Sequence, residues 1–449
     1  MLVELSGPLI TEVKFQKIMA IAASDCLRAN AENKLPELIF ERLALSRANL
    51  AFALSQRLLE IKSTQSDVLL ILPIAWDTIR SYNTDIGSAL DGDGAEYYRI
   101  LLKILYLALQ VHTTSTSPDH DAPPAKDTQS SAALRSTVHI ALEIISTIVA
   151  QGFRSLTIDL HDNPKIVHPS DFALLTAILR SALQIPDVTR NTTHLLNAFS
   201  DSQTARCAST LLSWSDQLST SGDPVYGELS ILFLLEMSSV PPLAESLAVE
   251  GVLPQILNTN LVRLLQSRDF GPFSQPARMF SIWARGILPL LLNLLHAVGP
   301  PLAAEIAGTL NTFPHQLNRA GTVFTSTPSN SSNDPSRDYI TLGTVSEAVT
   351  LSLITTILQT FREAGSSVGI VSSAVEEAKW DRTQVKEEAE EHLQRRGALR
   401  DRIVATNERE ESWTRAKPEQ ESSGAENKLE EKLVEELRTV VGILNGDSE

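Results

Sequence analysis

Apolar residues recur along most of the chain at spacings of three and four, the period of a helix that buries one face. The pattern covers 35–61, 97–111, 134–149, 172–183, 205–218, 229–237, 279–298 and 345–361. Residues that cap or stop helices separate these runs, for example Pro169-Ser170-Asp171 and Gly299-Pro300-Pro301. An alternating stretch at 156–160 is too short to predict a sheet. The sequence therefore predicts an all-α protein.

Many helices joined by short turns are compatible with a globin-like fold, a bundle or stacked helical pairs. The length of 449 residues favours stacked pairs, because HEAT and armadillo solenoids repeat a helical pair about every 40–47 residues. No sharp repeat consensus is present. We therefore expect an irregular superhelical α-solenoid of stacked HEAT/armadillo-like helical pairs over residues 1–364.

Composition shifts divide the chain further. Residues 113–131 and 321–337 are rich in Ser, Thr, Asn or Pro and lack an apolar period, which predicts disordered loops. Charged residues become dense near the C-terminus, where we expect one long charged helix over 365–412, a linker over 413–426 and a terminal amphipathic helix over 427–445.

The terminal helix carries a narrow apolar stripe with glutamates such as Glu430 predicted to face water. Spacings of four and three place its candidate partner-binding residues on one face: Leu429, Leu433, Leu437 and Val440. Two interpretations are open. The stripe caps the solenoid, since repeat ends need a cover, or it binds a groove on a partner protein.

Charge and cysteine content narrow the possible partners and compartment. The net charge of −16 argues against binding to nucleic acid, because it repels phosphate. Two cysteines cannot form a disulfide framework and fit a reducing compartment. No secretory signal opens the chain, and its start within a helical pattern suggests a fragment with an added Met. The most apolar stretch, 286–299, is predicted to be too short for direct membrane insertion.

The sequence contains no convincing catalytic or metal-binding motif. The nine histidines form no HxxxH or HExxH pair, and the cysteines are too far apart for a CxxC site. Residues Gly365 to Gly369 match the letters of the nucleophile elbow, but a predicted helix precedes them where a strand is required. Phosphate-binding glycine loops are also missing. We therefore predict no enzyme activity, no cofactor and no metal. A hydrolase built on the 365–369 motif would require a β-strand at that position.

Two stretches resemble the C-terminal region of the large inner-ring scaffold nucleoporins of the fungal 188-kDa type. They are 227–257, with its Glu250-Gly251-Val252-Leu253 turn, and 282–296, which begins Ile282-Trp283-Ala284-Arg285. The resemblance implies a HEAT- and armadillo-like scaffold of the nuclear pore complex, in the nuclear envelope of the nucleus. It also implies support of nucleocytoplasmic transport of protein and mRNA, and binding to linker nucleoporins of the 93/96-kDa type and to Phe-Gly repeats. The alternative is a soluble karyopherin-like or other HEAT/armadillo adaptor that binds protein cargo.

Overall fold

The computed structural model describes residues 12–32, 37–61, 66–82, 85–92, 94–115, 128–218, 222–325, 339–365, 375–419 and 425–446. These residues are mostly helical, which confirms the all-α prediction. Their β pairing is limited to an isolated parallel bridge between Ile340 and Ile403. The chain divides into two compact units, unit 1 over Met1–Cys207 and unit 2 over Ala208–Glu449.

Unit 1 is built around helix α6. Its helices are α1 Val13–Ala31, α2 Glu37–Glu60, α3 Ser66–Leu69, α4 Ile71–Tyr82, α5 Ile86–Leu90, α6 Ala95–Ser115, α7 Thr128–Ile144, α8 Gln151–Asp162, α9 Pro169–Leu183 and α10 Thr192–Asp201. Helix α6 packs against α2, α4 and α9. Arg99 of α6 donates two hydrogen bonds to the buried Asp171 carboxylate of α9, at 2.8 and 2.9 Å. A π-helical segment, Ile145–Ala150, joins α7 to α8.

Helix α11, Thr204–Trp214, begins in unit 1 and continues into unit 2. The other helices of unit 2 are α12 Val225–Ser238, α13 Pro241–Val249, α14 Val252–Leu257, α15 Asn260–Ser267, α16 Arg278–Ser281, α17 Leu288–Val298, α18 Ala303–Asn311, α19 Pro314–Thr322, α20 Leu342–Ala364, α21 Arg382–Gln394, α22 Arg396–Arg400, α23 Glu408–Arg415 and α24 Lys428–Asn445. The π-helical segment Ile282–Ile287 connects α16 to α17.

A buried charged network joins three elements of unit 2. The indole N–H of Trp283 donates to Glu347 Oε1 at 2.6 Å, and Arg319 Nη2 donates to the same oxygen at 2.5 Å. Arg319 also lies 3.1 Å from Asp269 and 5.0 Å from the ring centre of Phe280. Glu347 has no exposed surface, so its charge depends on these partners.

Three helical stretches are long and apolar enough to cross a membrane by length and composition alone. They are Leu134–Asp162, Arg278–Val298 and Leu342–Ala364. Residues 286–298 of this stretch therefore belong to a helix of 21 residues. The expectation that the stretch is too short is wrong, because α16 and the π-helical segment extend the helix towards the N-terminus. In the fold, 56% of the most apolar window of each stretch is buried. These stretches contribute buried side chains to the cores of their units.

The prediction of one long helix over 365–412 is wrong. Helices α21, α22 and α23 occupy part of that range, separated by residues 401–407 and by a break at Arg395. The break at 401–407 has a tertiary cause. Ile340 donates its N–H to Arg402 O at 2.8 Å and accepts from Val404 N–H at 3.1 Å, which fixes this segment in an extended conformation. Helical propensity alone does not reveal such a competing partner.

Helices extend into both ends of the predicted 113–131 loop and into the start of the predicted 321–337 loop. Helix α6 continues to Ser115 and α7 begins at Thr128. Helix α19 reaches Thr322, and the Phe324 side chain that follows is fully buried. Residues 116–127, 326–338 and 420–424, which hold the rest of both loops and part of the predicted 413–426 linker, lie outside the described residues.

Candidate partner-binding surface

Local signals at both ends define the terminal helix α24. The Asn427 side chain accepts the backbone N–H of Glu430 at 3.0 Å, which satisfies a free donor at the N-terminus. Glu430 and Glu431 lie in the first turn, where negatively charged carboxylates interact favourably with the positive end of the helix dipole. Gly446 ends the helix in the left-handed conformation, with φ of 81°.

The stripe of α24 is part of the core. Its four side chains have no exposed surface: Leu429, Leu433, Leu437 and Val440. Within unit 2, helix α24 packs against α20, α21 and α23. Glu430, predicted to face water, is also buried and accepts a hydrogen bond from Arg400 Nε at 2.9 Å. The stripe is therefore not available to a partner in this structure, and its packing corresponds to the capping interpretation.

An open groove begins where the buried stripe ends. Its volume is about 1210 Å³, and it is lined by the C-terminal part of α20, residues 375–386 and the last turn of α24. Leu358, Val375 and Trp380 are buried side chains that form an apolar floor. Ile443 and Leu444 of α24 are half-buried and form one wall. Sequence reasoning missed this groove because helical periodicity does not show how its three segments, 355–363, 375–386 and 443–446, pack together.

The rim of the groove carries charges of both signs. Arg362 pairs with Glu377 at 3.3 Å, and both side chains are largely exposed. Arg382 also lines the groove and donates from Nη2 to Thr356 Oγ1 at 2.8 Å. Burial lowers the pKa of the Arg382 guanidinium, although nearby carboxylates including Glu377 oppose that effect. The rim is thus mixed in charge.

Two helix C-termini also face the groove. Helices α20 and α24 both line it with their last turns. The C-terminal end of a helix carries partial negative charge on carbonyl groups that have no partner inside the helix. Arg362 lies in the last turn of α20, while α24 has no basic residue in its last turn. Lys379, Arg382 and Lys386 also line the groove, so cationic side chains of the chain itself are present there.

The remaining histidines, cysteines and carboxylates give no sign of a metal site or a reactive nucleophile in the described residues. No group of three or more His, Cys, Asp or Glu residues that could hold a metal occurs within the described ranges. Burial raises the pKa of both free thiols, Cys26 and Cys207, which disfavours the reactive thiolate. His392 is buried, with Nε2 2.7 Å from Phe324 O, and burial lowers its pKa. Gly365 ends α20, but residues 366–369 lie outside the described part.

Stacked helices that expose long surfaces are typical of binding and scaffold proteins. The comparisons with known proteins make this more specific. A family model described as "Nuclear pore protein NUP188 C-terminal domain" matches residues 71–444. The chain belongs to this family of nucleoporin domains.

Relatives and a solved structure agree with this assignment. The chain is 33% identical to Nucleoporin NUP188 of Chaetomium thermophilum, over 97% of this chain and 24% of that protein. It is 25% identical to Nucleoporin nup184 of Schizosaccharomyces pombe, over 75% of this chain and 20% of that protein. A solved fragment of Nup188 from Myceliophthora thermophila matches with a TM-score of 0.70 and 33% identity, covering 85% of this chain and 99% of the fragment.

These matches confirm the predicted fold class, localisation and non-catalytic role. The fold is an all-α solenoid of the type found in the solved fragment. Membership in a nucleoporin family places the chain at the nuclear pore complex in the nuclear envelope. The family is structural and not catalytic, which confirms the prediction that the chain is not an enzyme. The chain spans about a quarter or less of the length of the curated relatives it matches.

Proposed function

We propose that the chain is a structural scaffold segment of the nuclear pore complex that binds other nucleoporins and thereby supports nucleocytoplasmic transport. The observation that carries the proposal is the family match over 71–444, together with the solved fragment of the same fold. A soluble karyopherin-like adaptor is less well supported, because the matched relatives are named as nucleoporins.

The partner that we propose is a helical segment of a linker nucleoporin of the 93/96-kDa type. A helical solenoid offers long surfaces on which amphipathic helices dock. The net charge of −16 favours basic or amphipathic partners over acidic ones. Neither feature requires a special sequence motif, which agrees with the lack of one in the chain.

A binding measurement with purified proteins tests this proposal. The full chain is immobilised and titrated with a recombinant linker nucleoporin of the 93/96-kDa type. We expect saturable binding that weakens as salt concentration rises, because the chain is strongly acidic. A heat-denatured sample of the chain is the control. A linker nucleoporin that binds native and denatured samples equally, or neither, would contradict the proposal.

Contact with Phe-Gly repeats is a second proposed activity, supported by an exposed aromatic pair. Phe273 and Tyr339 lie 6.1 Å apart between ring centres in an edge-to-face arrangement, and both are exposed. Such a pair offers a phenylalanine side chain an apolar contact. A synthetic Phe-Gly repeat peptide should bind the chain, and Phe273→Ala should weaken binding. Val249→Ala, at a highly exposed position on α13, is the control. Equal binding by both variants would exclude this pair.

A further inference from the structure

The end of helix α24 carries an Asn-Gly pair, and the sequence contains no second one. Asn445 is the last residue of the helix, and Gly446 follows it in the left-handed conformation. Both residues are exposed, and both line the edge of the groove. Within the described part of the chain, the Asn445 side chain makes no hydrogen bond. Its amide group is therefore free to turn towards the backbone.

The asparagine at the other end of the same helix has different surroundings. The side chain of Asn427 accepts the backbone N–H of Glu430 at 3.0 Å, which holds it in the capping position. Asn427 is also followed by Lys428, whose Cβ obstructs a close approach to the backbone nitrogen. Gly446 has no Cβ, so its nitrogen is accessible to the side chain of Asn445. The two asparagines form a matched pair for comparing reactivity.

The arrangement at the C-terminal end allows a reaction within the chain. The backbone nitrogen of Gly446 loses its proton and bonds to Cγ of Asn445, while the bond from Cγ to the side-chain nitrogen breaks and ammonia leaves. Water then opens the resulting succinimide ring. Addition of water at Cγ gives aspartate, and addition at the backbone carbonyl carbon of Asn445 gives isoaspartate. The sum of the steps consumes one water and releases one ammonia.

The last turn must open for this reaction to occur, and the packing of α24 makes that opening easy. The backbone N–H of Gly446 donates to Ile443 O at 3.2 Å, and this bond has to break first. Val440 is the last residue of the stripe with no exposed surface, whereas 441–444 are half-buried. A helix end with few buried contacts opens at a much lower free energy than the core of the fold. The last turn therefore opens while the stripe stays packed.

We propose that Asn445 is a site of spontaneous deamidation in the folded chain. The conversion adds one negative charge to the groove, beside Lys379, Arg382 and Lys386 and at the negative end of the α24 dipole. In the isoaspartate product the chain passes through the side chain of residue 445, which changes the path of the backbone at the edge of the groove. This inference goes beyond the proposed scaffold function and does not depend on it.

The test follows deamidation of the folded full chain during incubation in mildly alkaline buffer. Samples are digested at intervals, and mass spectrometry measures the conversion of each asparagine and separates aspartate from isoaspartate. We expect Asn445 to convert at least tenfold faster than Asn427 and to give both products. The rate should rise with pH, because the attacking nitrogen must lose its proton. Circular dichroism of each sample verifies that the chain stays folded.

The variant Asn445→Gln is the matched control, since it keeps a neutral amide but cannot form the five-membered ring. Isoelectric focusing should show an acidic species that accumulates at least tenfold faster in the wild-type chain than in Asn445→Gln. Conversion at Asn445 no faster than at Asn427, or equal accumulation of the acidic species in both chains, overturns the inference. Conversion that occurs only after unfolding in urea also overturns it, because the fold would then protect this pair.

Discussion

The strongest structural prediction concerns the stripe of α24. Leu437 has no exposed surface, and α24 packs on α20 and α21. Replacing a buried leucine by alanine costs about 2–5 kcal/mol, because the apolar contact is lost and a cavity remains. In a domain the size of unit 2, each 1 kcal/mol lowers the midpoint of thermal unfolding by about 2–4 °C. A loss of about 3 kcal/mol for Leu437→Ala thus corresponds to about 6–12 °C.

Thermal unfolding followed by circular dichroism at 222 nm measures this effect. The matched control is Leu444→Ala, in the same helix but half-buried in the groove, which should cost about 1 kcal/mol or less. Combining Leu433→Glu with Leu437→Glu should unfold much of unit 2, because it buries two unpaired carboxylates. If Leu437→Ala shifts the midpoint by less than 2 °C, or no more than Leu444→Ala does, the stripe is not core and the reasoning fails.

Three further predictions concern buried groups. Glu347→Ala should destabilise unit 2 by about 3–5 kcal/mol in urea unfolding, because Arg319 loses its main buried partner; equal stability would refute this. Gly286→Ala should destabilise it by about 1–3 kcal/mol, since a Cβ there would overlap Ile231 Cγ2; a stabilising effect in the same assay would contradict the packing. Burial lowers the pKa of His392, so the unfolded state binds more protons and stability should fall as pH drops through about 6.5, by at most about 1.4 kcal/mol per pH unit. His392→Gln should reduce that slope, and an unchanged slope would exclude His392.

The helical fold could be predicted because its determinants are local. Apolar spacing marked the terminal helix, and Asn427 and Gly446 are residues that commonly cap helices. The break at 401–407 could not be predicted in this way. It depends on hydrogen bonds between Ile340 and residues 402 and 404, more than 60 positions away. Burial of Glu430 likewise depends on Arg400, a partner that helical periodicity does not identify.

The candidate site was only partly predictable for the same reason. The stripe was visible in the sequence, but the choice between a cap and a docking helix needed the packing of α24 on α20 and α21. The groove brings together Leu358, Trp380 and Leu444 from three separate segments. None of these residues is unusual by itself, and only their assembly produces an apolar floor beside two helix ends.

Hydrogen exchange of the full chain, alone and with the linker nucleoporin, tests the account most directly. The account predicts that amides at Leu433, Leu437 and Val440 are strongly protected in the free chain and change little on binding. Rapid exchange at the three stripe positions in the free chain, followed by protection there when the partner binds, would contradict it.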